Sequence, residues 1–382
     1  MPVKRLLCLL SSLLLLTLLC LPAAAAPVPP EISAPSAILM ESSTGKILYE
    51  KEANTPLPPA SVTKIMTILL VAEAIDSGRI SLDDMVTASE TAASMGGSQI
   101  YLEVGESMSV QDLLKAIVVA SGNDAATAMA EHIAGSTEGF VALMNQKAEE
   151  LGMDNTTFVN CHGLDADGHL TTAHDIALMS AELLEKHPWI TDYTTIWMDS
   201  LRGGAFELAN TNKLLRSYTG TTGLKTGSTD LAKYCLSASA VRGDMQLIAV
   251  VMAAPSTAER FKSAAQLLDF GFANYEKTVL PVERLAPIPV EGGTLDEVEL
   301  VCIPDSVTTV LEKGDTRVVD ASVTVQQSLT APVEEGQTVG EVIFRLGETE
   351  LGRGRIVTAG AVPRRSVLQQ FVRYLGMLTM AD

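Results

Sequence analysis

The feature that most constrains this 382-residue chain is an almost wholly apolar run that follows two prolines. The run reads VTKIMTILLVA, at residues 62–72, and Pro58 and Pro59 lie just before it. Two prolines end any earlier helix, so the sequence predicts a new helix with Ser61 as its N-cap or first residue. A helix that is apolar on nearly every side is a buried helix. We therefore expect the fold to be built around this segment.

Ser61 and Lys64 are three residues apart, which places them on one face of that helix. A serine hydroxyl becomes a nucleophile when a base takes its proton, and a lysine amine is such a base only when it is neutral. Burial and a second nearby cation both lower the pKa of a lysine. The S-x-x-K pattern is weak evidence by itself, because Ser61 is equally suited to be an N-cap. Residues 43–46 also fit the pattern, where the flanking apolar runs indicate a hairpin turn.

The composition and the first residues indicate a secreted protein. The net charge of −19 argues against a nucleic-acid binder. Lys4 and Arg5 precede an apolar run at residues 6–21 and small residues at 23–26, which predicts a signal peptide over residues 1–26. A transmembrane anchor is the alternative, but the run is slightly short for a span. We expect a location on the outer face of the cytoplasmic membrane, in the cell wall or in the periplasm.

The cysteines that follow the signal do not form a disulfide framework. They are three in number and widely spaced: Cys161, Cys235 and Cys302. At most one bridge could form, and the sequence does not say which.

The hydrophobic pattern predicts an α/β (α+β) catalytic domain at residues 30–278. Short apolar runs at 38–40 and 47–49 form a hairpin, and residues 82–211 look mainly helical. Residues 233–242 and 246–252 form a second antiparallel hairpin, and a closing helix follows at 257–275. Strands thus come from both ends with a helical block between them. This predicts one antiparallel sheet flanked by helices, with a helical subdomain beside it.

The rest of the chain differs in character. Short alternating runs in residues 282–362 predict a small all-β domain. Residues 363–382 predict an amphipathic helix whose charged residues are mainly basic. It is too short to span a bilayer, so we expect it to lie in the membrane interface as an anchor. A helix packed on the β-domain is the alternative.

Three short motifs follow one another along the chain: SVTK at 61–64, SGN at 121–123 and KTG at 225–227. Each has a structural interpretation, as a helix N-cap, a helix-breaking loop and a strand-edge turn. Their combination in this order is far more specific than any one of them.

With these motifs the chain resembles the penicillin-binding proteins and serine β-lactamases. It is most similar to the low-molecular-mass D-alanyl-D-alanine carboxypeptidases. The resemblance covers about residues 35–275 and includes SSTGKILY at 42–49, HGLDADG at 162–168 and GLKTG at 223–227. It implies a β-lactamase/transpeptidase-like fold.

The resemblance implies catalytic roles for three side chains. Ser61 would attack the carbonyl between two D-alanines and become acylated. Lys64, held neutral with Lys225 as the nearby second cation, would accept its proton. Ser121 would relay a proton to the leaving amine.

It also implies a substrate-binding set. Asn123 would hydrogen-bond the substrate peptide and orient Lys64, while Lys225 and Thr226 would meet the terminal carboxylate. Gly227 would let the substrate lie along the strand edge as an added strand.

Two further positions complete that set. The backbone N–H groups of Ser61 and Ser228 would form the oxyanion hole. Arg260 aligns with an arginine that helps to bind the terminal carboxylate in the family, although a solvated helix residue is the alternative.

The sequence thus predicts a cofactor-independent serine D-Ala-D-Ala carboxypeptidase that acts on peptidoglycan stem pentapeptides and is inhibited by β-lactams. A β-lactamase shares the three motifs, but the E-x-x-L-N loop of class A enzymes is absent. A D,D-endopeptidase or transpeptidase of the same superfamily stays open.

Other classes fit less well. A cluster of histidines and aspartates in the sequence could bind zinc, although no H-E-x-x-H helix is present. Its members are His162, Asp165, Asp167, His169, His174 and Asp175. A non-catalytic cell-wall binding protein would need a broken site, and all three motifs are intact. A Ser/His/Asp hydrolase lacks its G-x-S-x-G elbow.

Overall fold

The computed structural model describes residues 27–304, 306–315 and 317–372. The predicted signal peptide at 1–26 lies outside these ranges, and so do the last ten residues of the predicted terminal helix. The strands, in chain order, are β1 (Ser36–Glu41), β2 (Ile47–Lys51), β3 (Met85–Thr87), β4 (Ser107–Ser109), β5 (Met198–Leu201), β6 (Phe206–Ala209), β7 (Thr221–Thr229), β8 (Lys233–Arg242), β9 (Met245–Ala254), β10 (Tyr275–Pro281), β11 (Ile288–Glu291), β12 (Glu297–Val298), β13 (Leu300–Ile303), β14 (Ser306–Glu312), β15 (Asp320–Val325), β16 (Leu329–Thr330), β17 (Thr338–Leu346) and β18 (Thr349–Thr358).

Apart from a helical segment at 367–372, the helices of the described residues lie between β2 and β10. The α-helices are Lys64–Asp76, Glu90–Ala93, Val110–Lys115, Asn123–Ala134, Thr137–Glu150, Ala173–Lys186, Thr191–Thr194, Leu214–Ser217 and Thr257–Asn274. Short 3-10 turns lie at Ala60–Thr63, Pro188–Ile190 and Arg202–Gly204, and a π-turn lies at Ala116–Ala120.

The main sheet is antiparallel and has the order β2-β1-β9-β8-β7, which leaves β7 at one edge. Residues of β1 alternate between two apolar clusters because successive side chains of a strand point to opposite faces. Ile38 packs with the helices Lys64–Asp76 and Ala173–Lys186, and Leu39 packs with the helix Thr257–Asn274. The predicted antiparallel sheet with helices on both faces is confirmed.

The helix at Lys64–Asp76 is the buried centre that its sequence predicts. Ten of its residues are buried, from Lys64 to Ala74. The predicted helical block at 82–211 also contains two small hairpins, β3-β4 and β5-β6. Those strands have three or four residues each. A strand that short carries too little alternation to be recognised in a sequence.

The β-rich part contains the sheets β10-β14, β12-β11-β16 and β13-β18-β17-β15. Strand pairing begins at Tyr275, directly after the helix Thr257–Asn274, because β10 pairs with β14. Lysine side chains tie this part to the main sheet and to the helix Thr257–Asn274. Lys277 Nζ lies 3.6 Å from Glu41 Oε1, and Lys313 Nζ donates to the Phe272 carbonyl at 2.6 Å.

The structure describes the first half of the predicted membrane anchor and all three cysteines that follow the predicted signal peptide. Residues 367–372 are helical, and the side chains of Val367, Leu368 and Phe371 are exposed. Within the described ranges, no helix has the length and apolarity that a membrane span requires. In the described part of the chain, Cys161 and Cys235 are buried free thiols, and Cys302 is buried as well.

Candidate active site

Ser61 lies in the 3-10 turn Ala60–Thr63, and the α-helix begins only at Lys64. The expectation of Ser61 as N-cap or first α-helical residue is therefore wrong by one turn. The tighter turn begins at Ala60, whose φ of 49° lies in the left-handed region. No side-chain cap bond is made there, so the Ser61 hydroxyl is not engaged in capping.

Lys64 is fully buried and makes three hydrogen bonds. Its Nζ lies 3.1 Å from Ser61 Oγ, 2.6 Å from Asn123 Oδ1 and 2.7 Å from the His162 carbonyl oxygen. Burial lowers the pKa of Lys64 to about 7, although the charges of Cys161 and Asp124 act in the opposite direction. Among the three partners, only Ser61 has a proton to give.

Ser121 and Asn123 come from the break between two helices. The π-turn Ala116–Ala120 ends at Ser121, which adopts a left-handed conformation with φ of 63°. Ser121 Oγ is buried and has no hydrogen-bond partner among the described residues. Asn123 Nδ2 donates to the Gly96 carbonyl at 2.7 Å, which turns Oδ1 of the same amide towards Lys64.

The KTG residues lie within the edge strand β7 rather than in a turn before it. Lys225 is buried and its Nζ donates to the Thr226 carbonyl at 3.0 Å. Burial is the main reason that the pKa of Lys225 lies well below its usual value, and the charges of Lys64 and Arg260 lower it further. The charges of Lys64 and Lys225 repel each other, so the predicted influence of Lys225 on Lys64 stays a prediction. Burial is the largest cause of the lowered Lys64 pKa. The site therefore obtains a neutral Lys64 chiefly by excluding water.

Gly227 brings β7 against the Ala60–Thr63 turn that contains Ser61. A Cβ on Gly227 would lie 2.8 Å from Ser61 N and 2.9 Å from Val62 N. Contacts that close force the backbone to move, so glycine is required here. The next residue, Ser228, is exposed beside this contact. The Thr226 hydroxyl is 2.6 Å from that of Thr211.

Arg260 is buried behind the sheet, so it is not a solvated helix residue. Its Nη1 donates to the carbonyls of Gly227 at 3.1 Å and Cys235 at 3.3 Å. Its guanidinium lies 4.7 Å from the centroid of the Phe261 ring. These contacts support β7 from behind, and binding of a substrate carboxylate by Arg260 stays a prediction.

Three of the six residues weighed as zinc ligands, Asp165, His169 and Asp175, make hydrogen bonds with threonine hydroxyls. The Thr229 hydroxyl donates to Asp165 at 2.7 Å, and the Thr156 hydroxyl donates to Asp175 at 2.7 Å. His169 Nε2 lies 2.8 Å from Thr63 Oγ1. In the part of the chain that the structure describes, no group of three or more metal-ligating side chains is assembled.

Some residues that shape this site escaped the sequence reasoning. The His162 carbonyl holds Lys64, and a backbone carbonyl carries no residue-type signal. A Cβ on Gly163 would lie 1.9 Å from the Ala60 carbonyl oxygen. Thr63 joins the turn to His169. The quoted HGLDADG stretch marked the neighbourhood but not these contacts.

Comparison with known proteins matches both parts of the chain. The family model described as D-alanyl-D-alanine carboxypeptidase matches residues 23–256, and the model described as penicillin-binding protein 5, C-terminal domain, matches residues 277–364. D-alanyl-D-alanine carboxypeptidase DacF of Bacillus subtilis is 46% identical over 318 residues, which are 82% of this chain and 81% of that protein.

Two solved structures are similar as well. Penicillin-binding protein 5 of Haemophilus influenzae has a TM-score of 0.79 at 32% identity, with 88% of this chain and 99% of that chain covered. Penicillin-binding protein D2 of Listeria monocytogenes, solved in an ampicillin-bound form, has a TM-score of 0.59 at 36% identity. That match covers 64% of this chain and 100% of the Listeria chain.

Proposed function

The chain belongs to the D-alanyl-D-alanine carboxypeptidase family, and on this premise we propose that Ser61 is the residue acylated when it removes the terminal D-alanine from peptidoglycan stem pentapeptides. The observation that carries the proposal is the triple contact of the buried Lys64 amine. A neutral amine has two hydrogens and one lone pair. The two hydrogens go to the oxygens of Asn123 and His162, so the lone pair is left for the Ser61 proton.

Acylation follows from this arrangement. Lys64 takes the Ser61 proton while Ser61 Oγ bonds to the carbonyl carbon between the two D-alanines. Ser121, whose hydroxyl has no partner among the described residues, relays the proton from Lys64 to the nitrogen of the leaving D-alanine as the C–N bond breaks, which returns Lys64 to its neutral form. Water then attacks the acyl-enzyme and releases the shortened peptide, with Lys64 again suited to accept a proton.

Binding of the substrate uses the edge strand β7. Lys225 and Thr226 meet the terminal carboxylate, and the charge of that carboxylate favours the protonated form of Lys225. The peptide lies beside Gly227 as an added strand. The N–H groups of Ser61 and Ser228 face the developing oxyanion, an effect worth about 3 kcal/mol per donor in comparable enzymes.

We extend the proposal to location and organisation. Residues 30–278 act as the catalytic unit, residues 282–362 as an all-β unit, and residues 363–382 as a membrane-surface anchor after removal of residues 1–26. The exposed apolar side chains of Val367, Leu368 and Phe371 support an interfacial helix. The ampicillin-bound relative supports the proposal that β-lactams acylate the same serine here.

The test is time-resolved labelling of the purified protein with a fluorescent penicillin, beside the variants Ser61→Ala and Ser43→Ala. Ser43 begins the other S-x-x-K match and its hydroxyl donates to Glu41 in the hairpin turn, so it is a matched control. We expect a stable label on the wild type and on Ser43→Ala, and none on Ser61→Ala. Release of D-alanine from diacetyl-Lys-D-Ala-D-Ala should follow the same order.

Other outcomes discriminate the alternatives. Rapid loss of the label would favour a β-lactamase. Labelling of Ser61→Ala at the wild-type rate, or a folded wild type that takes no label, would overturn the assignment of Ser61.

A further inference from the structure

We infer that Thr63 and His169 are positioning residues that aim the backbone N–H of Ser61 at the oxyanion. The inference rests on the proposed function of Ser61. It concerns two side chains that do not touch the substrate and act through the Ala60–Ser61 peptide group.

The hydrogen bonds run in one direction through these residues. The Val159 N–H donates to His169 Nδ1 at 2.9 Å, so Nδ1 carries no proton. In the neutral ring the proton is then on Nε2, which donates to Thr63 Oγ1 at 2.8 Å. The Thr63 hydroxyl donates in turn to the Ala60 carbonyl at 2.8 Å.

Burial favours this arrangement. His169 and Thr63 are buried, with 2% and 0% of their surfaces exposed. Burial lowers the pKa of His169 to about 4, which keeps the ring neutral and the donor on Nε2.

The Ala60 carbonyl and the Ser61 N–H belong to one planar trans peptide group. Fixing the direction of the carbonyl therefore fixes the direction of the N–H. The same peptide is enclosed by two glycines, since a Cβ on Gly163 would lie 2.9 Å from Ser61 N and one on Gly227 would lie 2.8 Å from it. These glycines leave the peptide little room, and the Thr63 bond selects its orientation.

Ala60 explains why such a restraint is needed. Its φ of 49° is unfavourable for a residue with a side chain. Without the bond to Thr63, the peptide could relax towards an ordinary conformation and turn the Ser61 N–H away.

The experiment compares Thr63→Val with Thr63→Ser in stopped-flow acylation by a penicillin. Valine has the shape of threonine without the hydroxyl, and serine keeps the hydroxyl. We expect Thr63→Val to lower the acylation rate constant about 10- to 100-fold, below the full loss of an oxyanion donor. The dissociation constant of the pre-covalent complex should stay within about twofold, because that complex has no oxyanion. Thr63→Ser should restore most of the rate.

A matched control separates stability from catalysis. Thr358 is also buried, accepts from the Gln337 N–H and donates to the Glu334 carbonyl, far along the chain in the β-rich part. Thr358→Val should lower the melting temperature and leave the acylation rate unchanged. A boronic acid analogue of the substrate should lose affinity for Thr63→Val by the same factor as the rate.

His169 is tested in a double-mutant cycle. His169→Leu should slow acylation. The double variant with Thr63→Val should be no slower than Thr63→Val alone, because both substitutions act through the hydrogen bond from Thr63 to the Ala60 carbonyl. Additive losses would overturn the inference.

The remaining outcomes are also decisive. Wild-type acylation in Thr63→Val, or no recovery in Thr63→Ser, would overturn the positioning role and leave Ser61 as nucleophile. An unlabelled wild type would overturn the proposed function and this inference with it. If Thr63→Val does not fold, Thr63→Ala beside Thr63→Ser gives the same comparison, since both lack the methyl group.

Discussion

Gly163 leaves no room for even one carbon beside Ala60: a Cβ there would lie 1.9 Å from the Ala60 carbonyl oxygen and 2.4 Å from its carbonyl carbon. The loop that carries Gly163 thus packs directly on the turn that carries Ser61. Close packing against a glycine, together with hydrogen bonds, therefore holds the Ser61 turn in place.

Gly163→Ala should therefore displace the Ser61 turn. We expect at least a tenfold loss of acylation rate and a melting temperature well below the wild type. Gly168→Ala is the matched control, because Gly168 has a similar φ of 79° and nothing within 4 Å of its Cβ position. It should cost only the backbone strain, about 1–2 kcal/mol, and keep the acylation rate. Equal acylation rates in both variants would contradict the contact.

The pH profile should report Lys64. Below a pKa of about 7 the amine is protonated and has no lone pair for the Ser61 proton. The second-order rate constant of acylation should therefore rise with pH, by about tenfold per unit well below 7, and level off above it. The measurement is penicillin acylation from about pH 5 to about pH 9, with folding checked by circular dichroism at each pH. A flat profile would place the proton acceptor elsewhere.

Ser121→Ala should separate activity from stability. Because Ser121 Oγ is buried without a partner among the described residues, its removal leaves no new unsatisfied group. We expect an unchanged or slightly raised melting temperature and a loss of D-alanine release of about 100-fold or more. Ser263→Ala removes another buried hydroxyl that lacks a partner in the same ranges, and it should alter neither quantity. A Ser121→Ala enzyme with full activity would exclude the proton relay.

Chelation should leave the reaction unchanged. Asp165, His169 and Asp175 are engaged by hydroxyl groups of Thr229, Thr63 and Thr156. Dialysis against EDTA should therefore preserve D-alanine release, measured before and after re-addition of zinc. Loss of activity that zinc restores would revive the metal peptidase.

The sequence predicted the parts of the fold that carry long, regular patterns. The strand β8 and the closing helix were expected at 233–242 and 257–275, and they are observed at Lys233–Arg242 and Thr257–Asn274. By contrast, β7 was not recognised as a strand, because its glycines and polar residues give no apolar alternation. Its character comes from the pairing with β8, which is a tertiary contact.

The candidate site also contains residues that the sequence predicts and residues that it does not. Ser61, Lys64 and Asn123 were predicted as a group and are brought together around the Lys64 amine. The His162 carbonyl could not be predicted, since every residue has one. His169 was assigned to a possible metal cluster because its type suggested a ligand, whereas its buried bond to Thr63 depends on the folded loop.

The contact between Gly227 and the backbone of Ser61 also constrains how this enzyme can evolve under antibiotic pressure. A mutation that narrows the groove at this position, to exclude a bulky drug, inserts a side chain into the backbone that holds Ser61. Such a change would disable the enzyme's own reaction together with the inhibition. Escape variants that keep the enzyme working should therefore arise at the exposed end of β7, near Ser228 and Thr229, and leave the KTG glycine intact.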